Sequence, residues 1–343
     1  MMKRVLVTGG AGYIGSHTAK ALCAVGCHPI VFDNLSAGYR EAVQWGPLVV
    51  GDVRDADALA HAMRLHAVNA VIHFAGLIEV GRSMREPLAF WDANVGGTAA
   101  VLEAMRLCGV ERIVLSSTAA VYGQPDGVRA LTENLPLNPI NPYGDTKVAA
   151  ERMVANACLA HGMTGVALRY FNASGADPAG RIGEAHDPET HLIPLAIEAA
   201  LGLGRELEMF GTDFPTLDGT CVRDYIHVED LAQAHVLALN HPLTPGTFTP
   251  MNLGAGAGCS VLEVLQVVGR VVGRPAPHRI APRRAGDPAC LVADPGRAHQ
   301  VLGWRARHSD LETIVASAMA WRRAPAFGKR FQRPSGTLRE RVA

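Results

Sequence analysis

The chain opens on KRVLVTGGAGYIGSH, and no other stretch constrains its fold as tightly. A basic start leads into the apolar run Val5-Leu6-Val7. Gly9, Gly12 and Gly15 follow at three-residue spacing, then a helical pattern through Ala24. Glycine spacing alone is weak evidence, but these glycines sit where a strand turns into a helix, and the bare amides of such a helix start hold a pyrophosphate. Beyond Gly15, HPIVFD ends in Asp33, where a second strand should finish. A carboxylate there bonds the adenosine ribose hydroxyls and repels a 2′-phosphate, which points to NAD rather than NADP. Taken alone, Asp33 also reads as a turn residue before Asn34; the glycines favour the ribose.

Strands and helices alternate along the first half, as a doubly wound parallel sheet requires. Apolar segments at 5–7, 29–32, 48–50, 70–74, 112–115 and 166–170 read as strands. GSHTAKALCAVG, ADALAHAMRLH, NVGGTAAVLEAMRLCG and TKVAAERMVANACLAHG read as the helices between them. After Asn172, glycine, proline and charge accumulate through GADPAGRIGEAHDPETH, and later elements look shorter and less regular. The expected architecture is α/β: a Rossmann-type doubly wound parallel sheet over 1–175, and a smaller mixed α/β substrate-binding lobe over 176–323. A flexible basic tail is expected over 324–343.

Composition narrows the function classes. With 343 residues and 48% hydrophobic content the chain can bury a sizeable core. Lysine plus arginine equals aspartate plus glutamate, 32 each, which gives no sign of a nucleic-acid surface. Seven cysteines are scattered along the chain; only Cys23 and Cys27 are close, without a histidine or cysteine partner at metal-ligand spacing. Free thiols in a reducing cytoplasm and no metal are therefore expected. No apolar run approaches ~20 residues, so no membrane span is expected.

Tyr143 and Lys147, in NPYGDTKVAAERM, share one helix face at i and i+4. Tyrosine normally ionises near ~10, too high for a base at neutral pH. At an effective dielectric of about 20, a cation roughly 6 Å away favours the phenolate by about 3 kcal/mol, or about two pKa units. An oxidised nicotinamide would add a second positive charge. An isolated Tyr-x-x-x-Lys reads better as a core tyrosine beside a snorkelling lysine; the glycine loop reverses that preference.

TGGAGYIGSH, DNLSAG, GDVRD, HFAGL, SSTAAVYG, NPYGDTK, RYFNASGA, GTDFPTLDGTCVRDYIHVEDLA, NLGAG and APRRAGDPA occur in an order that resembles the UDP-glucose 4-epimerases, extended short-chain dehydrogenases/reductases. The resemblance reaches to about Trp321. It implies cofactor contacts from Tyr13 and Ile14, from Asp33 and Asn34 at the adenosine ribose, and from Asp52 and Val53 at the adenine. Phe74, Ala75, Gly76 and Asn94 would line the rest of the dinucleotide, with Phe171 near the nicotinamide. The family's catalytic serine falls on Thr118, beside Tyr143 as base and Lys147 as its electrostatic partner. Asn172, Arg223 and Arg284 resemble diphosphate ligands, and two arginines in matching motifs suit bidentate phosphate binding. Leu192, Phe210, Tyr225 and Asp287 fall among uridine-site positions. Cys290 falls where relatives with tyrosine fill the space beside the sugar 2′-substituent, so its small thiol implies room for an N-acetyl group.

Three departures stand out. Thr118 keeps the hydroxyl but adds a methyl. Ile78 stands where many relatives have lysine, removing a cofactor contact. His191 replaces an asparagine that helps hold the nucleotide, which could make binding pH-sensitive near ~6.5.

The implied chemistry interconverts UDP-glucose and UDP-galactose through a 4-ketose, with transient reduction of recycled NAD. The N-acetylated pair is an expected further substrate. A nucleotide-sugar 4,6-dehydratase would need a carboxyl pair where this chain has Ala119 and Ala120. Another UDP-sugar 4-epimerase, for a uronate or pentose, and a catalytically silent NAD-binding regulator remain as alternatives. A homodimer through 97–107 and 145–157 is the expected assembly, although those helix faces could equally pack internally.

Overall fold

The first glycine turn organises the sheet. In the computed structural model, which describes residues 3–125, 130–204, 206–284 and 287–328, β1 (Arg4–Thr8) runs into α1 (Tyr13–Ala24) and β2 (His28–Asp33). β3 (Leu48–Val50), α2 (Ala56–Leu65) and β4 (Ala70–His73) follow. After two four-residue turns, α3 (Val80–Ser83) and α4 (Pro87–Phe90), and a π-helical turn Trp91–Gly96, come α5 (Gly97–Cys108), β5 (Arg112–Thr118), α6 (Pro142–His161) and β6 (Thr164–Tyr170). Each expected strand of the first half is present. The apolar runs of β1, β4 and β6 are buried on both faces, as a parallel sheet covered by helices demands, while β3 at the sheet edge stays partly exposed.

The second half is β7 (Asn172–Ser174), α7 (Leu192–Leu201), β8 (Leu207–Phe210), β9 (Val222–His227), α8 (Val228–Asn240), β10 (Phe248–Leu253) and β11 (Gly258–Ser260), then α9 (Val261–Val272), β12 (His278–Ala281), β13 (Cys290–Leu291), α10 (Gly296–Leu302) and α11 (Leu311–Arg323). The main sheet has seven strands in the order β10-β6-β5-β4-β1-β2-β3, all paired in parallel. Strand order reverses beside β1, where β4 lies on one side and β2 on the other. That crevice, at the carboxyl ends of the strands, is where such sheets bind ligands.

The chain does not divide cleanly at 175. β10 completes the first sheet from far beyond that boundary, and α8 packs against α1 beneath it. Pro250 lies within β10 and cannot donate to a ladder, so FTPMNL reads poorly as a strand; it is tolerated because β10 is an edge.

The smaller lobe is built from β11-β9-β13 with β7 on β9, the β12-β8 pair, and α7, α9 and α11 around their own apolar core. Ser260 and Glu263 form a capping box that starts α9. The expected tail also begins later than 324. Phe327 is buried against Trp321, at 5.0 Å between ring centroids, and Tyr39, at 5.3 Å. Residues 329–343 lie outside the described residues.

Candidate active site

The glycine loop is tight for measurable reasons. Gly9 has φ of +71°, and a Cβ there would stand 2.6 Å from the Ala75 nitrogen; at Gly15 it would stand 2.3 Å from the Gly9 carbonyl oxygen. Gly9 donates to the Phe32 carbonyl at 2.9 Å, so the loop after β1 touches both β2 and the loop after β4 across the switch point. Gly12 is the N-cap of α1; it has no side chain to cap the helix, and the first turn carries no acid. The end is thus left open to an anion. The Tyr13 hydroxyl donates to the Gly175 carbonyl at 2.6 Å, and Ile14 packs into the core below.

Asp33 ends β2 with a buried carboxylate that accepts from Ala11 N at 3.0 Å and Leu35 N at 2.8 Å. It therefore also holds the loop around the ribose position, and burial raises its pKa against those bonds. Exposed Asn34 donates to Asp52 at 3.4 Å. The Arg54 guanidinium holds the Asp52 carboxyl below the usual carboxylate range. Val53 packs over Gly97, where a Cβ would approach it to 2.7 Å.

Phe74 and Ala75 both donate to the Thr8 carbonyl, at 3.0 and 3.1 Å. Buried Asn94 accepts from Leu77 N at 2.7 Å and donates to Leu77 O at 3.1 Å and Thr146 Oγ1 at 3.0 Å. Its amide thus holds the loop after Gly76 against α6. Ile78 is exposed.

Tyr143 and Lys147 lie in the first turns of α6, which Asn141 caps by accepting from Gly144 N at 2.9 Å. Lys147 Nζ lies 6.0 Å from the Tyr143 ring centroid and donates to Ser116 O at 3.1 Å. Thr118 ends β5; its hydroxyl accepts from Ala120 N at 3.2 Å and lies close enough to the Tyr143 phenol to favour the phenolate. β5 and α6 therefore bring the three expected catalytic residues together.

Their electrostatics correct the sequence arithmetic. Burial pushes the Tyr143 phenol up to about 12, against the bond from Thr118. Burial also pushes Lys147 down to about 8, opposed by Glu151. The Coulomb sum counted the attraction of an ammonium and left out desolvation of the phenolate. Within the chain alone, desolvation is the larger effect.

The residues expected on the substrate side lie on the second lobe. Asn172 starts β7 opposite Tyr225 on β9, and Phe171 packs against the cluster of Val121, Tyr122, Leu131 and Val148. Arg223, on β9, pairs with Asp287, while the Arg284 guanidinium lies 3.8 Å over the Phe210 ring. Cys290, exposed on β13, is in register with Val222. Tyr225 and Leu192 contribute to the lobe's core. His191 caps α7 without a capping side-chain bond; its Nδ1 lies 2.8 Å from Glu184 and 3.0 Å from Glu189. Burial opposes its charge, but those carboxylates outweigh burial and hold its pKa at about 10. A titration near 6.5 is therefore not what this position offers.

Sequence reasoning missed the buried polar chain behind Tyr143 and Lys147. Glu151 accepts from Ser117 Oγ at 2.5 Å and pairs with Arg169 at 2.6 Å, both side chains almost fully buried. Arg169 reaches the Tyr122 hydroxyl at 2.9 Å, which donates to Asn252 at 2.6 Å. The available signal was spacing: Glu151 is one helical step, i+4, after Lys147. All seven cysteines are free thiols. No helix among the described residues is long and apolar enough to cross a membrane.

A model of the NAD dependent epimerase/dehydratase family matches residues 5–254. A curated UDP-glucose 4-epimerase of Rhizobium meliloti (strain 1021) is 50% identical over 317 residues, covering 92% of this chain and 96% of its own. The crystal structure of UDP-glucose 4-epimerase from Brucella ovis in complex with NAD superposes with a TM-score of 0.90 at 50% identity, over 93% of this chain and 98% of that one. That of UDP-glucose-4-epimerase from Stenotrophomonas maltophila, with bound NAD and formylated UDP-arabinopyranose, gives 0.89 at 41% identity, over 94% and 98%.

Proposed function

The chain belongs to the NAD dependent epimerase/dehydratase family, and from that premise we propose that Tyr143, Lys147 and Thr118 invert C4 of a UDP-hexose, interconverting UDP-glucose and UDP-galactose. It is an NAD-dependent isomerase. The observation that supports the residue assignment is that Tyr143 and Lys147 share the first turns of α6, with Thr118 beside them at the end of β5 and Lys147 Nζ near Gly76 in the loop after β4.

The residues present fit the dinucleotide. The Gly9 cradle would be filled by any Cβ, the first turn of α1 is uncapped, and Asp33 lies at the end of β2. Gly9, Gly12, Tyr13, Ile14 and Gly15 would hold the pyrophosphate, Asp33, Asn34, Asp52 and Val53 the adenosine, and Phe74 to Gly76, Asn94 and Phe171 the remainder. When bound, NAD would supply the electron-pair acceptor and donor for C4 and the positive charge of its nicotinamide.

The chain's own groups manage the proton and the sugar. Tyr143 Oη takes the proton of the C4 hydroxyl as the C4–H electron pair leaves, and C4 becomes a planar ketone without configuration. The Thr118 hydroxyl bonds the same oxygen. The Lys147 ammonium, anchored on the Ser116 carbonyl, favours the phenolate. Arg223 and Arg284 clamp the diphosphate with Asn172, while His191, Leu192, Phe210, Tyr225 and Asp287 hold the uridine side, so the ketose can turn about its link to phosphate. Tyr143 then returns the proton to the inverted C4 oxygen, and no net oxidation results.

The small, exposed thiol of Cys290 supports acceptance of the N-acetylated pair, UDP-GlcNAc and UDP-GalNAc. A homodimer in the cytoplasm completes the reading. The test is to incubate purified protein with UDP-glucose, UDP-galactose, their N-acetylated counterparts, and a UDP-uronate and UDP-pentose, and to separate the epimers. Turnover confined to the uronate or pentose, or none at all, would overturn it.

A further inference from the structure

Away from the catalytic pair, four donors converge at the foot of α7. Glu184, His186, Glu189 and His191 each present a ligand-capable atom, and all four atoms lie within 4.8 Å of one another. Nδ1 of His186 stands 3.0 Å and Nδ1 of His191 2.8 Å from the same oxygen, Glu184 Oε1; His191 Nδ1 is also 3.0 Å from Glu189 Oε1. The two imidazole rings lie 5.1 Å apart.

The surroundings hold this cluster from outside. Trp321 Nε1 donates to the Glu184 carbonyl at 2.8 Å, and Arg322 grips the outer oxygen of Glu189. The Tyr13 ring packs edge-on against His186 at 6.2 Å. Supporting contacts of this kind orient metal ligands.

Charge is the second observation. The carboxylates of Glu184 and Glu189 are each 6% exposed, and Arg322 pairs with the outer oxygen of Glu189. Glu184 Oε1 and Glu189 Oε1 face the imidazole nitrogens, so a divalent cation among these atoms meets carboxylate charge from both. Two imidazole nitrogens with two carboxylate oxygens form a donor set that suits Zn²⁺.

We propose that Glu184, His186, Glu189 and His191 form a Zn²⁺-class metal site that ties the start of α7 to the 184–186 segment beside the nucleotide loop. Tetrahedral bonds of ~2.0–2.2 Å set ligand atoms about 3.4 Å apart. Pairs now in hydrogen-bond contact therefore open slightly and the wider ones close. The histidine side chains, 23% and 42% exposed, have room for that adjustment and give the ion a way in. On binding, each ligating Nδ1 gives up its proton, which moves to Nε2 or to solvent. This site shares His191 with the uridine side of the proposed function, but the metal binding it predicts is read without turnover.

The competing account is a metal-free cluster of ion pairs, and Co²⁺ titration of the purified full chain separates the two. The proposal expects one equivalent of Co²⁺ with the visible bands of a tetrahedral nitrogen and oxygen site, displaced by Zn²⁺ and lost in the His186→Ala/His191→Ala double variant. His186→Cys, if folded, should restore binding and add a sulfur charge-transfer band. Absence of tetrahedral bands, equal binding by wild type and the double variant, or a thiolate band in wild type from the native cysteines would overturn it. The readout needs no turnover, so its failure leaves the proposed activity untouched.

Discussion

Lys147→Met should stabilise the protein while disabling it. The ammonium is 5% exposed, and burial lowers its pKa from 10.5 to about 8. At about 1.4 kcal/mol per unit, keeping that charge buried at neutral pH costs about 3 kcal/mol. Methionine has nearly the same length and no charge, but it loses the donor to Ser116 O, worth about 1 kcal/mol. The net expectation at pH 7 is a gain of about 2 kcal/mol, with turnover lowered by orders of magnitude. The sign follows from linkage. Between pH 8 and 10.5 the unfolded lysine holds its proton while the folded one does not, so wild-type stability rises with pH through that window. The advantage of methionine should be full below pH 8 and shrink towards pH 10.5. Denaturant melts of both proteins, stripped of nucleotide because bound ligand adds stability by mass action, measure it. A variant less stable than wild type at pH 7, or a gap that does not change with pH, would refute the reasoning.

Tyr143→Phe should remove the proton acceptor and lower kcat by about 10²–10⁴; wild-type turnover would displace Tyr143 from its role. Cys290→Tyr should abolish epimerisation of the N-acetylated pair by steric exclusion and largely spare UDP-galactose, so an equal loss on both would show that position 290 is not the gate. Glu151→Ala should destabilise the fold by about 3–5 kcal/mol because it strands the buried Arg169 guanidinium. A denaturant midpoint close to wild type would mean that water or another group rescues the arginine.

The first sheet was legible because a buried parallel strand is a short apolar run, and residues 4–8, 28–33 and 70–73 are that and little else. β10 was not. Its sequence alternates polar residues and carries Pro250, and its place at the sheet edge comes from the long-range pairing of Phe248 with Gly165 and Leu253 with Tyr170. The smaller lobe suffers from the same dependence: β7, β11 and β13 are two or three residues long and exist because β9 lies between them. Spacing within one helix announced the Tyr143/Lys147 pair proposed as catalytic. Nothing local announces that Arg169 on β6 meets Glu151 on α6, or that Arg223 meets Asp287.

Charge was the hardest part to read, because burial decides it and sequence spacing does not report burial. A lysine at i+4 brings a cation close, 6.0 Å from the Tyr143 ring centroid. Yet the phenol at about 12 and the ammonium at about 8 are both displaced towards their neutral forms. Ionising Tyr143 at pH 7 against five units corresponds to about 7 kcal/mol, more than twice what the lysine was estimated to supply. Glu151 helps indirectly by keeping Lys147 protonated, and the Thr118 bond favours the phenolate directly. On the proposed mechanism, the remainder would come from positive charge and hydrogen bonds that arrive with the nucleotide and the sugar. The proposed base would then form only where a substrate hydroxyl is present to use it.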